Sequence, residues 1–359
     1  MKAVVVGGGL LGLLTARALR QFGATVTVVE QGDFGQESSW AGGGILSPLY
    51  PWDYSNAVND LAALSQSGYR SLIQQLIDDG GIDPQWTQNG MLVLDPDHFS
   101  TAREWAAQRD IACREWDARS LHEQEPEIGG EHQGILLPNV AQVRNPRLLK
   151  SVLHSVRSLG VTLVARNPVI ELTHQAGQTS GVRTLKAHYV ADVVVVCAGA
   201  WTARILSRLG LTVDIKPVRG QMIMYRSVPG LIKRITLFDH HYIIPRRDGR
   251  VLVGSTLEDT DFDKSTTQQA YLDLCDYAET LYPCLKQAQV ERHWAGLRPA
   301  SPDGIPYICP VPEFEGLFLN AGHFRNGVVL APASVQLLMD LISKRSPRLN
   351  PDPYQLNRL

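Results

Sequence analysis

The amino-acid sequence predicts an α/β protein in which a parallel-sheet domain, assembled from separated stretches of chain, carries an inserted antiparallel α+β domain. Three observations predict it. A β-branched run, a glycine-rich turn, an amphipathic stretch and a second β-rich run follow one another within the first 30 residues, the order of a βαβ unit. Similar α/β patterning returns in the middle and near the end of the chain. Long β-rich runs joined by tight turns fill the stretches between. The parallel-sheet domain is expected to comprise residues 1-84, 141-212 and 299-359, and the insert residues 85-140 and 213-298.

Taken in order, Lys2 to Val6 reads as a buried parallel strand, Leu10 to Phe22 as a helix and Thr25 to Glu30 as the second strand. Ser55 to Asp79 has helical periodicity with few breakers, and Met91–Leu94 and Gly134–Leu137 read as strands. The dense charge from Asp117 to Glu131 reads as surface. A second α/β stretch follows, with a helix from Arg147 to Leu159 and strands at Thr162–Ala165 and Asp192–Cys197. From Asp214 to Thr256 the pattern turns to long β-rich runs, and Asp248-Gly249 between two of them is a hairpin signal. Gln268 to Gln287 reads as one more amphipathic helix, Leu317 to Asn320 as a short buried strand, and about Pro332 to Ser343 as a closing helix.

Composition narrows the function classes. The 359 residues suit two domains, and 44% hydrophobic with 19% charged content suits a packed globular core. A net charge of -2 gives no electrostatic handle for nucleic acid. Cysteines 113, 197, 275, 284 and 309 are scattered and odd in number, fitting neither a disulfide framework nor a zinc site. Glycines 7, 8, 9 and 12 interrupt the apolar start, so no signal peptide is expected, and no run reaches membrane-spanning length. The expectation is a cytoplasmic protein with no membrane partner.

Gly7-Gly8-Gly9-Leu10-Leu11-Gly12 satisfies G-x-G-x-x-G. Gly7 permits the tight turn, Gly9 lets the backbone approach a pyrophosphate, and Gly12 lets the helix pack close to the strand. The free N–H groups of the following helix suit the phosphates. Glu30, 18 residues beyond Gly12, is placed to accept the ribose hydroxyls and disfavours a 2′-phosphate. NAD and FAD share this fingerprint. Gly35 to Ile45, rich in glycine and serine, is long for an ordinary connection and suits a chain lying against a second phosphate and a flat ring.

Near the C-terminus, Trp294-Ala295-Gly296-Leu297-Arg298-Pro299 places an arginine in apolar company, and Gly322-His323-Phe324-Arg325-Asn326-Gly327 lies between a strand and a helix. With Ser38 to Gly44, Ala198-Gly199-Ala200-Trp201 and Tyr242-Ile243-Ile244-Pro245-Arg246, their order and spacing over nearly the whole chain resemble the FAD-dependent D-amino-acid oxidase superfamily, most closely the bacterial glycine oxidases associated with thiamine biosynthesis. The resemblance implies a Rossmann-like FAD domain of the glutathione-reductase type and non-covalent FAD, with a small amino acid and dioxygen as reactants. It further implies a homo-oligomer. The reaction implied is hydride loss from the substrate α-carbon to flavin, imine hydrolysis to a 2-oxo acid and ammonia, and formation of hydrogen peroxide. The alternative is a dehydrogenase that passes electrons to a quinone or carrier.

By the same resemblance, Arg298 grips the substrate carboxylate, Tyr242 brings a hydroxyl to the substrate, and Arg325 is a second substrate-side residue. A buried carboxylate must be paired, and a planar guanidinium binds it through two parallel hydrogen bonds. The FAD contacts implied are Leu10, Leu11, Glu30, Gln31, Ser38, Ser39, Gly43, Gly44, Ile45, Val169 and the run His323, Phe324, Arg325, Asn326, Gly327, Val328 and Val329. With a helix expected only from about Pro332, the amides of Asn326 to Val329 are the donors expected for the reduced ring.

Other signals carry less. His240 and His241, read as strand neighbours, point to opposite faces and cannot share a metal, so no metal is expected. Arg246, Arg247 and Arg250 are expected to be solvated turn charges. Ile45, Leu257 and Met222 are candidates for a pocket wall whose bulk favours glycine-sized ligands.

Overall fold

The computed structural model describes residues 1–358. Four strands form a parallel run in the order Val193–Val196, Lys2–Val6, Thr25–Val29, Thr162–Val164, and Leu317–Ala321 extends it in parallel on the side of Val193–Val196. Tyr307–Pro310 closes that edge antiparallel, completing six strands. The valines of Lys2–Val6 and Val193–Val196 are buried throughout, as a parallel sheet covered on both faces requires. Helices Leu10–Gln21, Asn56–Asp78, Asn145–Ser158 and Gly327–Ile342 cover one face. The other face packs on a three-stranded antiparallel sheet, Val169–Gln175, Gln178–Thr184 and His188–Val190. That sheet is absent from the sequence expectation. Its outer face is solvated, so its strands carry too few apolar residues to signal themselves.

The inserted stretches build an eight-stranded sheet, Gln289–Ala300, Lys216–Arg226, Arg250–Gly254, His241–Pro245, Ile235–Phe238, Met91–Val93, Gly134–Leu137 and Arg114–Trp116. Pairing is antiparallel except between Ile235–Phe238 and Met91–Val93. Period-two alternation sorts the side chains. Ile223 and Ile243 pack in the core that includes Leu274 and Ala278 of helix Gln268–Leu281, while Met222, Tyr242 and Ile244 pack in the core that includes Ile45 and Leu49. The Asp248-Gly249 hairpin forms as expected, with Gly249 at φ +84°.

Three expectations are corrected here. The last helix starts at Gly327, not near Pro332, and the proline sits inside it. Pro332 has no N–H for the Val328 carbonyl four residues earlier, and the Tyr69 hydroxyl donates to that oxygen instead at 2.7 Å. Ser65 Oγ accepts from Ala333 N at 2.9 Å. Helix Asn56–Asp78 thus supplies the bonds that let its neighbour run through a proline. The charged stretch Asp117 to Glu131 is not all surface: Glu125 is fully buried and paired with Arg234. His240 lies at φ +60° in the turn before strand His241–Pro245, not within the strand.

Candidate active site

A cavity of about 450 Å³ opens between the two large sheets, at the C-terminal ends of the parallel strands. That is where an open α/β sheet leaves a crevice for a ligand. Gly7 is at φ +108°, and a Cβ there would lie 2.4 Å from Cys197 O. Gly12 does not reach the cavity wall; a Cβ on it would lie 1.9 Å from Gly7 O, so its absence lets the helix close on the turn. Gly7, Gly9, Leu10 and Leu11 line the cavity.

Glu30 and Gln31 also form part of the wall. The Glu30 carboxylate accepts Gly8 N at 2.6 Å and Gly32 N at 2.8 Å, which fixes both oxygens. The second glycine-rich run also lines the cavity through Ser38, Ser39, Gly43, Gly44 and Ile45, and its first part is a short helix, Ser38–Ala41. Ser39 Oγ accepts Leu10 N at 3.0 Å, so the two glycine-rich segments touch. Two side chains that neither motif indicated hold this second segment. Asn145 Nδ2 donates to Ser39 O and Gly42 O, each at 2.9 Å. Arg246 Nη2 donates to Gly43 O at 2.6 Å. Arg246 is therefore not a solvated turn charge. It is 7% exposed and bonds Gln142 and Val143 as well. Arg247 and Arg250 do sit at the hairpin surface, paired with Asp83 and with Asp248 and Glu291.

Tyr242, Met222, Arg298 and Arg325 also line the cavity. Arg298 projects from strand Gln289–Ala300; Nη1 donates to Thr256 O at 3.1 Å and Nη2 to Ser255 Oγ at 2.6 Å. No carboxylate pairs with it among the described residues. Burial lowers its pKa; the Tyr242 phenol opposes that shift and Arg325 adds to it. The Tyr242 hydroxyl donates to Met222 Sδ at 3.6 Å. Arg325, in the turn Phe324–Asn326, also has no acidic partner among the described residues. Leu257, by contrast, is exposed and does not line the cavity.

Val169, His323, Phe324, Gly327 and Val328 complete the expected wall, while Asn326 and Val329 are buried outside it. His323 is 2% exposed, with Nε2 3.0 Å from Ser334 Oγ, and burial pulls its pKa down to about 3. It is neutral. Residues not foreseen on the wall include Arg204, Arg208 and Gly220. A strap from the insert crosses nearby: Phe262 packs against Trp201 and Arg204, and Lys264 pairs with Glu37 at 3.0 Å. Among the described residues no group of three or more His, Cys, Asp or Glu could hold a metal, and no helix is long and apolar enough to cross a membrane.

The cavity suits FAD. Helices Leu10–Gln21 and Gly327–Ile342 both present N-termini without a side-chain cap or an acidic residue in the first turn, and both reach the wall. Such ends favour phosphate and the negative charge of a reduced ring.

Residues 2–341 match the family model described as FAD dependent oxidoreductase. The chain is 45% identical over 355 residues to the glycine oxidase of Pseudomonas aeruginosa, covering 98% of each. It is 32% identical over 360 residues to the bifunctional protein ThiO/ThiG of a Nostoc species, covering 97% of this chain and 54% of that one. The crystal structure of glycine oxidase from Geobacillus kaustophilus superposes with a TM-score of 0.95 at 27% identity, covering 99% of this chain and 98% of that one. The chain belongs to this family of FAD-dependent oxidoreductases, and it is an FAD-dependent amino-acid oxidase.

Proposed function

We propose that the chain oxidises glycine and other small amino acids and amines, sarcosine and small D-amino acids among them, to a 2-oxo acid and ammonia or amine, with hydrogen peroxide as the second product. The observation that carries this reading is Arg298, a cation without a carboxylate partner among the described residues, facing a cavity walled by Tyr242, Met222 and Ile45. A charge held there is available to a substrate carboxylate, and the bulky wall leaves room for a small substituent.

FAD supplies the two-electron acceptor when bound. The residues of the chain orient the substrate: Arg298 takes its carboxylate, Tyr242 brings a phenol to the same end, and Arg325 adds positive charge. No side chain is assigned as a general base, because oxidation of a neutral amine depends on orientation more than on side-chain proton transfer. The FAD-contacting residues proposed are those that line the cavity: Gly7, Gly9, Leu10, Leu11, Glu30, Gln31, Ser38, Ser39, Gly43, Gly44, Ile45, Val169, His323, Phe324, Arg325, Gly327 and Val328. The likeness to glycine oxidases and to a ThiO/ThiG protein supports a role in supplying an imine for thiamine thiazole synthesis.

The test is a substrate panel under air with peroxide detection: glycine, sarcosine, D-alanine, D-proline, L-alanine and a lysine control. Peroxide from glycine and sarcosine is expected. Reduction of a dye or quinone without peroxide would assign a dehydrogenase instead. Arg298→Ala is expected to lower kcat/KM for glycine by about 100-fold or more, since loss of one partner of a buried charge pair costs about 2–5 kcal/mol. Near-normal turnover in that variant would reassign the site.

A further inference from the structure

A substrate-binding arginine must meet two opposed requirements. Its long side chain has to be held in one orientation, yet the usual way of holding an arginine, a neighbouring carboxylate, would cancel the charge the substrate needs. The hydrogen-bond partners of Arg298, Thr256 O and Ser255 Oγ, resolve this because both are neutral. We propose that Gly220, Ser255 and the Thr256 carbonyl form a neutral seat that positions Arg298 for carboxylate binding, with Ser255 as its decisive side chain. This rests on the reading of Arg298 as the carboxylate-binding residue.

The first part of the seat is an absent side chain. In the pairing of strands Lys216–Arg226 and Gln289–Ala300, Arg298 lies opposite Val218, and Gly220 is two residues further along the same face. A Cβ on Gly220 would fall 2.0 Å from Nη1, 2.2 Å from Nη2 and 2.3 Å from Cζ of Arg298. These near-equal distances place the guanidinium across the α-carbon of Gly220, and any other residue there would displace it. Gly220 is not at positive φ, so its backbone does not require glycine.

The second part fixes rotation. Nη2 donates to Ser255 Oγ at 2.6 Å and Nη1 to Thr256 O at 3.1 Å, which uses two of the five guanidinium N–H groups and leaves three. Ser255 is 4% exposed. Thr256 is itself held, its Oγ1 accepting Gln221 N at 2.9 Å and donating to Glu258. Glu258, the carboxylate nearest along this chain of bonds, is already engaged by Arg219 at 2.6 Å. The negative charge is thus neutralised one step away from Arg298, and only neutral oxygens touch the seated cation.

The experiment compares FAD-loaded wild type with Ser255→Asp, Ser255→Ala, Ser255→Thr, Gly220→Ala and Arg298→Ala. The readouts are KM and kcat for glycine and calorimetric binding of acetate, which has a carboxylate and no amine. Ser255→Asp puts a carboxylate against Nη2, and acetate binding is expected to weaken by about 100-fold. Ser255→Ala should raise KM by about 10-fold, with a smaller fall in kcat, because one charge-assisted hydrogen bond is lost. Ser255→Thr keeps the hydroxyl and should restore most of the loss. Gly220→Ala should weaken acetate binding as well, and the Ser255 variants carry the test if it fails to fold. Wild-type acetate affinity in Ser255→Asp, or a Ser255→Thr variant as impaired as Ser255→Ala, would overturn the seat. Wild-type acetate affinity in Arg298→Ala would instead overturn the reading of Arg298 itself.

Discussion

Replacing Arg246 by methionine keeps the apolar stem and removes every donor, which isolates what the guanidinium does. The side chain is 7% exposed and donates to Gln142 Oε1, Val143 O at 2.9 Å and Gly43 O at 2.6 Å, with no carboxylate in contact. Burial pulls its pKa down to about 9, so it is still a cation at neutral pH. Each bond from a charged donor contributes about 1.5–3 kcal/mol, but removing the cation also relieves its own desolvation and Gln142 can re-pair. A net loss of about 3–4 kcal/mol follows from these opposing effects. With an unfolding entropy of about 2.1 cal/mol/K per residue over 359 residues, that lowers Tm by about 4–5 °C. Because one bond fixes the Gly43 carbonyl on the cavity wall, FAD affinity should also fall, by about 10-fold. Flavin fluorescence during a thermal ramp gives the first quantity, and titration of apoprotein with FAD gives the second. A variant that melts within about 1 °C of wild type and binds FAD normally would show that Arg246 ties nothing together.

Three further outcomes are expected. Glu30→Gln sets an amide N–H₂ against Gly8 N or Gly32 N, and FAD affinity should drop by about 10-fold or more; an unchanged affinity would remove Glu30 from the nucleotide site. His323 is buried and neutral, its pKa pulled by burial from 6.5 to about 3, so its contribution to stability is full above pH 6.5 and is lost as pH falls toward 3, when the unfolded chain takes up a proton the folded chain refuses. Below pH 6 the stability of wild type should fall more steeply than that of His323→Gln, by up to about 1.4 kcal/mol per pH unit, and parallel curves from urea titrations would refute it. Phe262→Ala removes the ring that packs against Trp201 and lies 3.4 Å from Arg204 Cζ, and FAD release should quicken by about 3- to 10-fold. An unaltered release rate would mean that the strap does not retain the cofactor.

The glycine-rich turn at the cavity was legible because its chemistry is local. Gly7, Gly9, Gly12 and Glu30 lie within one strand–turn–helix–strand stretch, and the backbone path there requires glycine at Gly7 and Gly12, so spacing alone announces the turn. The meeting of Tyr242, Arg298 and Arg325 on one cavity was expected only through resemblance, since nothing in their spacing says that their strands and turn converge. The groups that seat Arg298, Gly220 and Ser255, and the one that holds the second glycine-rich segment, Asn145, went unread, and Arg246 was read only as a surface charge. Each acts on a partner distant in sequence, and a polar residue beside a hairpin looks the same whether it meets water or a carbonyl.

By itself the sequence determined the α/β class, the first strand–turn–helix, the hairpin at Asp248-Gly249 and the FAD-binding family. Those follow from periodicity, turn chemistry and motif order, which are properties of neighbouring residues. Tertiary structure alone decided that a helix could begin at Gly327 and pass through Pro332, because the lost hydrogen bond is supplied by Tyr69, 259 residues from the carbonyl it serves. It decided equally that Arg298 would remain an unneutralised cation. Whether a buried charge is paired depends on what folding brings within about 4 Å of it, and no local pattern encodes that distance.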